Sequence, residues 1–412
     1  MAWLLAGAVA LTGPVAGAQS VEGLPLSRFV EQQERIALED GQFIDLRFLI
    51  AREAASETTR LIDTTAAALK MLSAWFGPPT ALGGVEGQPP FTVAAVPWRG
   101  RFSGTTQHGM VSAPVRFLTP ARDQSTERAL IGALVRRYWI GAEGPDVPFK
   151  SSLVTYVSTR AIHHLLEGSN FETVRFFGGY VPFPLRSVLL SPPVGDPRPR
   201  VSGFEELEPQ TGSAEEVRRG VAALQTLERY VGWPTMLEAI SALPRTSERR
   251  DAEAFATALS DVRGTDLRSL VAECLSSEAV FDYSLESLES TSSGAGLVET
   301  TVTINRRGSG RFAIGDETGE RDRSIPLLVR FADGSEARDY FDGAAPTVSL
   351  IYSAKAAAVA ATIDPDAMLL LDEDRDNNTI IRNAPVSRLG IRLALHWLAW
   401  LQNAMLSYTA LV

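Results

Sequence analysis

His163 and His164, with Glu167 close behind, form the densest group of metal-binding residue types in the chain. Consecutive helical residues point about 100° apart, so one helix cannot turn both imidazoles onto a single ion. The group reads as a partly buried helix face. The other histidines are His108 and His396, and the lone cysteine, Cys274, sits in the helical run LVAECL, where packing accounts for it better than catalysis. The stretch DEDRDNN (372–378) alternates acids as a calcium loop does, yet it lacks the sixth-position glycine and terminal glutamate of an EF-hand. Serine chemistry has one local candidate, Ser151 and Ser152 beside Lys150, and no G-x-S-x-G elbow. GSGRFAIG (308–315) resembles a phosphate loop but lies between strands with no helix after it, so it is expected to be a hairpin. Arg136 and Arg137 are adjacent cations able to meet a carboxylate, and His108 lies in a loop where it could bind a ligand. The residue types therefore predict no metal and no cofactor.

These residues need elements to carry them, and the chain has 412 residues, enough for two or three domains. Acidic residues outnumber basic ones 49 to 39 with no long Lys/Arg block, so nucleic acid is not expected as a partner. One cysteine rules out an internal disulfide framework. Residues 1–18 read as a signal peptide: an apolar stretch ends in Ala16-Gly17-Ala18, although the basic start of such a signal is missing. The expectation is an exported protein, periplasmic or otherwise extracytoplasmic. Residues 386–412 read as a hydrophobic C-terminal helix that gathers His396, Asn403 and Ser407 on one face and carries Trp397 and Trp400. That pattern suits membrane contact from the surface as well as a span.

Between these ends, apolar residues at three-and-four spacing predict a helix from Phe48 to Trp75, stopped by Gly77-Pro78-Pro79. PFTVAAVPW (90–98) and MVSAPVRFL (110–118) predict two strands of a small sheet. Helical periodicity then dominates from Ser125 to about Leu285, broken by the Pro/Gly-rich 191–203. Gly232-Trp233-Pro234 ends one helix and starts another. Beyond 288–296 the pattern alternates, with Asp333-Gly334 as a hairpin turn.

The ordered stretches LSAWFGPP, YWIG, LVTYVS, GVAALQTLERYVG, ALSDVRGTDLRSLVAECL, LLVRFADGS and DPDAMLLLDEDRDNN resemble the membrane alanyl aminopeptidase family of gluzincin metallopeptidases over roughly 43–376. The resemblance implies an α+β fold. It comprises a thermolysin-like, gluzincin catalytic-type domain (19–203), a mainly helical second lobe (204–290) and a small β-sandwich (291–385). It also implies a register for the family's chemistry, in which two His of H-E-x-x-H and a later Glu hold zinc while the motif Glu serves as base.

With YWIG as the anchor, that motif falls on Ala133, Leu134, Val135, Arg136 and Arg137, and the third ligand falls on Ser151. Thr106 stands where the family's amine-gripping Glu would be, with Gln107 after it, and a hydroxyl cannot pair with an ammonium as a carboxylate does. Val217, ahead of Arg219-Gly220, replaces the tyrosine that steadies the transition state. The expected function follows: a pseudopeptidase of the cell envelope that binds a peptide or protein partner, with Arg136, Arg137 and His108 as candidate cleft contacts. Two alternatives stay open, a structural subunit of an envelope assembly and a zinc-independent hydrolase on the same scaffold.

Overall fold

The computed structural model describes residues 29–38, 41, 43–52, 55, 58–79, 91–97, 110–115, 125–140, 147–166, 173–176, 179–182, 214–244, 251–276, 278–294, 296–313 and 325–382. The expected signal peptide, the C-terminal helix and the loop carrying Thr106 and His108 lie outside these residues.

Strands β1 (Phe29–Ala37) and β2 (Phe43–Ala51) form an antiparallel hairpin, and β3 (Phe91–Pro97) and β4 (Met110–Val115) join in parallel to give the order β1-β2-β3-β4. β2 corrects the sequence expectation of a helix starting at Phe48. The segment FIDLRFLIA is apolar enough to be buried on both faces, with Leu46, Phe48, Leu49 and Ile50 almost fully enclosed, which is how a strand covered on two sides reads. Helix α1 starts only at Thr58 and ends at Phe76. It buries Leu61, Thr65, Ala68, Leu69 and Leu72, one face at helical spacing, and Thr65 enters the core because its hydroxyl donates to the Leu61 carbonyl at 2.6 Å.

Helix α2 (Ser125–Val135) runs into a π-helical turn at Arg136–Ile140, and α3 (Val147–Leu166) packs along it. Gly132 faces α3 there, with Val154 Cγ1 and Ser158 Oγ 3.7 and 3.8 Å from where a Cβ would stand, ordinary contact distances. A short hairpin of β5 (Thr173–Phe176) and β6 (Gly179–Pro182) follows, inside a stretch expected to be helical.

The second lobe is helical, with α4 (Ala214–Val231), α5 (Trp233–Ala242), α6 (Ala252–Arg263) and α7 (Arg268–Leu275). Gly232 separates α4 from α5 and Pro234 occupies the first turn of α5, as the dipeptide pattern predicts. Asp251 caps α6 by accepting from the Ala254 amide at 2.8 Å.

Strands β7 (Tyr283–Gly294), β8 (Leu297–Arg306) and β11 (Thr347–Ala354) make one antiparallel sheet in the order β11-β8-β7. The facing sheet is β10-β9-β12-β13, from β9 (Ile325–Phe331), β10 (Glu336–Phe341), β12 (Ala358–Ile363) and β13 (Thr379–Ile381). Asp333-Gly334 does turn β9 into β10. The expected hairpin is not formed: among the described residues β8 pairs with β7 and β11 and β9 with β10 and β12, so the strands flanking the stretch belong to different sheets. Gly308 is required there because any Cβ would run into the Val280 carbonyl. No helix among the described residues is long and apolar enough to cross a membrane.

The helical lobe and the sandwich are joined by specific bonds. Arg219 on α4 donates to the Ser276 carbonyl at 2.9 Å and to that of Ala279, and the Leu370 amide donates to Thr226 Oγ1 at 3.0 Å. Arg229 reaches the Ala367 carbonyl.

Candidate functional site

Helices α2, α3 and α4, with the π-turn that continues α2, carry five of the positions singled out from the sequence, Ala133, Leu134, Arg137, Ser151 and Val217. Leu134, on which the expected register puts the motif's catalytic carboxylate, is fully buried, as is Val135. Ala133, Arg136, Arg137 and Ser151 are partly exposed, and Val217 is buried. Arg136 and Arg137 open the π-turn, a local widening of the helix that is common at functional sites.

The packing ties α3 directly to the Val217 position. Ser152 Oγ donates to the Pro148 carbonyl at 2.8 Å and lies 3.3 Å from the Val217 carbonyl. The approach is close because a Cβ built on Gly220 would collide with that hydroxyl. The proton of Ser152 is thus held by backbone acceptors, which leaves it poorly placed for activation by Lys150, itself fully buried two residues earlier. Ser151 offers its carbonyl to Thr155 Oγ1 at 2.9 Å, the ordinary back-bond of a helix.

Zinc does not fit the donor set. Ala133 has no donor atom, Arg137 brings a permanent positive charge and Ser151 a neutral hydroxyl, whereas zinc wants imidazole, thiolate or carboxylate. Among the described residues no three His, Cys, Asp or Glu side chains gather to hold a metal. His163 and His164 occupy the last turn of α3, and His164 stacks near Trp75 with ring centroids 5.5 Å apart.

Beside the π-turn lies a small pocket lined by Tyr138, Trp139, Ile140, Leu153, Phe76 and Leu243, with Ile240 and Ser241 at α5. Trp139 is fixed there by donating its indole N–H to the Gly77 carbonyl at 3.0 Å. Burial pushes the Tyr138 phenol up to about 12, so it stays protonated and can serve only as a hydrogen-bonding wall at neutral pH.

One polar cluster was not singled out from the sequence. Tyr156 Oη donates to Glu228 Oε2 at 2.7 Å, Arg160 pairs with Glu228 Oε1 at 3.1 Å, and the same guanidinium lies 4.7 Å from the centre of the Trp233 ring. Burial and the Glu228 charge hold the Tyr156 phenol well above its usual range. The signal was available: Tyr156 and Arg160 are four apart, hence on one helix face, and Glu228 is an acid in an otherwise apolar stripe of α4. Every group in the cluster has a partner, which makes it a clamp between α3 and α4 rather than a reactive centre.

The acidic stretch 372–378 turns inward at its two ends, Asp372 and Asn378, while Glu373, Asp374 and Asp376 stay exposed. Asp372 Oδ2 accepts from Asn378 Nδ2 at 2.8 Å, and Asn377 Nδ2 donates to Asp282 at 2.9 Å. Burial raises the Asp372 carboxyl to about 6.

No family model matches the chain, and neither does any curated protein. A solved structure, aminopeptidase A of Legionella pneumophila in complex with aspartic acid, is similar with a TM-score of 0.52 and 11% identity, over 84% of this chain. The chain spans 38% of that protein's length. The likeness is one of fold alone, a mixed helix-and-sheet architecture that the two proteins share.

Proposed function

We propose that this protein is a catalytically inert relative of the gluzincin aminopeptidases, an exported pseudopeptidase that binds a peptide or protein partner in the cell envelope. The observation that carries this reading is the replacement of the expected base by Leu134, fully buried between α2 and its neighbours. A leucine at that place cannot polarise water, and its burial leaves no room for water to be held there. Ala133, Arg137, Ser151, Thr106 and Val217 support it, since each removes a different part of the same chemistry. The partly exposed Arg136 and Arg137 provide the charge with which a ligand carboxylate would pair.

Elemental mass spectrometry on untagged protein, run beside a panel of fluorogenic aminoacyl substrates, tests the reading. Folded protein with neither stoichiometric zinc nor turnover is expected. Stoichiometric zinc with chelator-sensitive turnover overturns it. A mature N-terminus at Gln19 is the expected mark of export. The Trp397 and Trp400 pattern favours a second reading, docking into an envelope assembly: removal of 388–412 then abolishes partner capture, whereas a peptide binder keeps its ligand.

A further inference from the structure

Strand β1 ends its sheet: β2 covers one edge, and among the described residues no strand covers the other. An open edge offers unpaired N–H and C=O groups along its length, and proteins usually blunt such edges with charged side chains, lysine above all, with proline or with a bulge. FVEQQERIA has no lysine, proline or glycine, its charges Glu31, Glu34 and Arg35 are of both signs, and its pairing with β2 is continuous from Phe29 to Ala37.

Its side chains are instead complementary to themselves. A two-fold axis normal to the sheet keeps every residue on its own face, so an antiparallel pair of β1 strands must centre on a residue rather than between two. Centring on Glu34 sets that carboxylate against its own copy. Centring on Gln32 places Glu34 against Val30 and Arg35 against Phe29. Centring on Gln33 places Glu31 against Arg35, Gln32 against Glu34, Val30 against Ile36 and Phe29 against Ala37, with all nine residues of the strand overlapping. Only this register joins opposite charges, and it does so twice.

The charges are already aligned for it. Arg35 binds Asp45 through two bonds of 2.7 and 3.0 Å, and Glu31 binds Arg47 through two of 3.0 Å, all on one face of the hairpin. Arg35 and Glu31 keep side-chain exposures of 67% and 44%, so each can accept a second partner from across the edge. Val30, 48% exposed, would be covered by the partner's strand.

We propose that two copies of this chain pair edge to edge through β1, antiparallel with Gln33 opposite itself, so that two four-stranded sheets become one. The alternating row Asp45, Arg35, Glu31, Arg47 then crosses the interface in both directions.

Cysteine placement tests the register in the full chain, because its single cysteine, Cys274, is buried and silent. Directly opposed residues have Cα atoms about 4.5–5.5 Å apart, within disulfide reach, whereas the two copies of residue 31 would be roughly 13 Å apart. Under mild oxidation, Q33C is expected to give a covalent dimer and E31C to give no cross-link. Sedimentation should show the unmodified protein dimerising, with E31R and R35E each weakening the dimer at least tenfold and an equal mixture of the two recovering it, because residue 31 of one copy then faces an opposite charge at residue 35 of the other. Monomeric protein at its highest soluble concentration, or equal cross-linking of Q33C and E31C, overturns the proposal. Should a single charge reversal fail to fold, the cysteine pair still decides.

Discussion

Ser152 and Gly220 touch so closely that a Cβ added to the glycine would stand 2.7 Å from the serine's own Cβ. This contact fixes the distance between α3 and α4, and with it the place of Val217. Gly220→Ala should therefore destabilise the fold by about 1–3 kcal/mol, the usual cost of overpacking, despite alanine's better helix propensity. Denaturant unfolding of G220A and G220A/S152G checks this. Removing the serine side chain should recover most of the loss, and a loss unchanged by S152G would mean that the strain lies elsewhere.

The Tyr156–Glu228 bond predicts a different kind of loss. Tyr156→Phe keeps the ring packed but leaves Glu228 with Arg160 alone, a cost of about 1–2 kcal/mol. Glu228→Gln should cost less in the Tyr156→Phe background than in the unmodified protein, since the two groups share one network. Additive losses would sink the idea of a clamp.

How far these relationships could be read from the chain differs by region. Strands β3 and β4, the stop at Gly77, the break at Gly232 and the turn at Asp333-Gly334 each have a local cause, and each is where the pattern puts it. β2 was misread because FLIAREAA continues the spacing of the helix after it, and only pairing with β1, a non-local event, selects the extended form. GSGRFAIG differs from its expected hairpin because Gly308 and Gly310 serve contact with Val280 and Phe281 rather than a turn. At the site, residue identity was legible but depth was not: nothing local tells that Leu134 is fully enclosed while Arg137 reaches the surface.

Asp372 makes stability depend on pH in an unusual direction. Its carboxyl titrates near 6 in the folded chain and near 3.8 when unfolded, so between these values the native state binds more protons than the unfolded one. Stability should rise as pH falls from 7 through 6 and level off below about 4, by an amount on the order of 1–3 kcal/mol from this group. Asp372→Asn should be more stable than the unmodified protein at pH 7 and should flatten this slope. Melting curves from pH 4.5 to 7.5 read both, and a slope unchanged in D372N would assign the titration to another carboxyl.

Restoring ligands tests the register itself. Ala133→His, Arg137→His and Ser151→Glu together return the donor types that zinc requires, at the two positions of one helix and the one of the next. Ala133 and Arg137 are four apart and both partly exposed, and Ser151 is partly exposed on α3, so none of the three changes opens the core. The triple variant should bind zinc and gain melting temperature on its addition, because a metal that binds only the native state stabilises it by mass action. It should still not hydrolyse aminoacyl substrates while Leu134 remains. Adding Leu134→Glu places a carboxylate in a fully buried position and should cost several kcal/mol unless zinc is present, the penalty of an uncompensated buried acid. A triple variant blind to zinc in calorimetry would show that α2 and α3 do not hold these three positions in a metal geometry, and would sink the register that places the zinc motif on Ala133–Arg137.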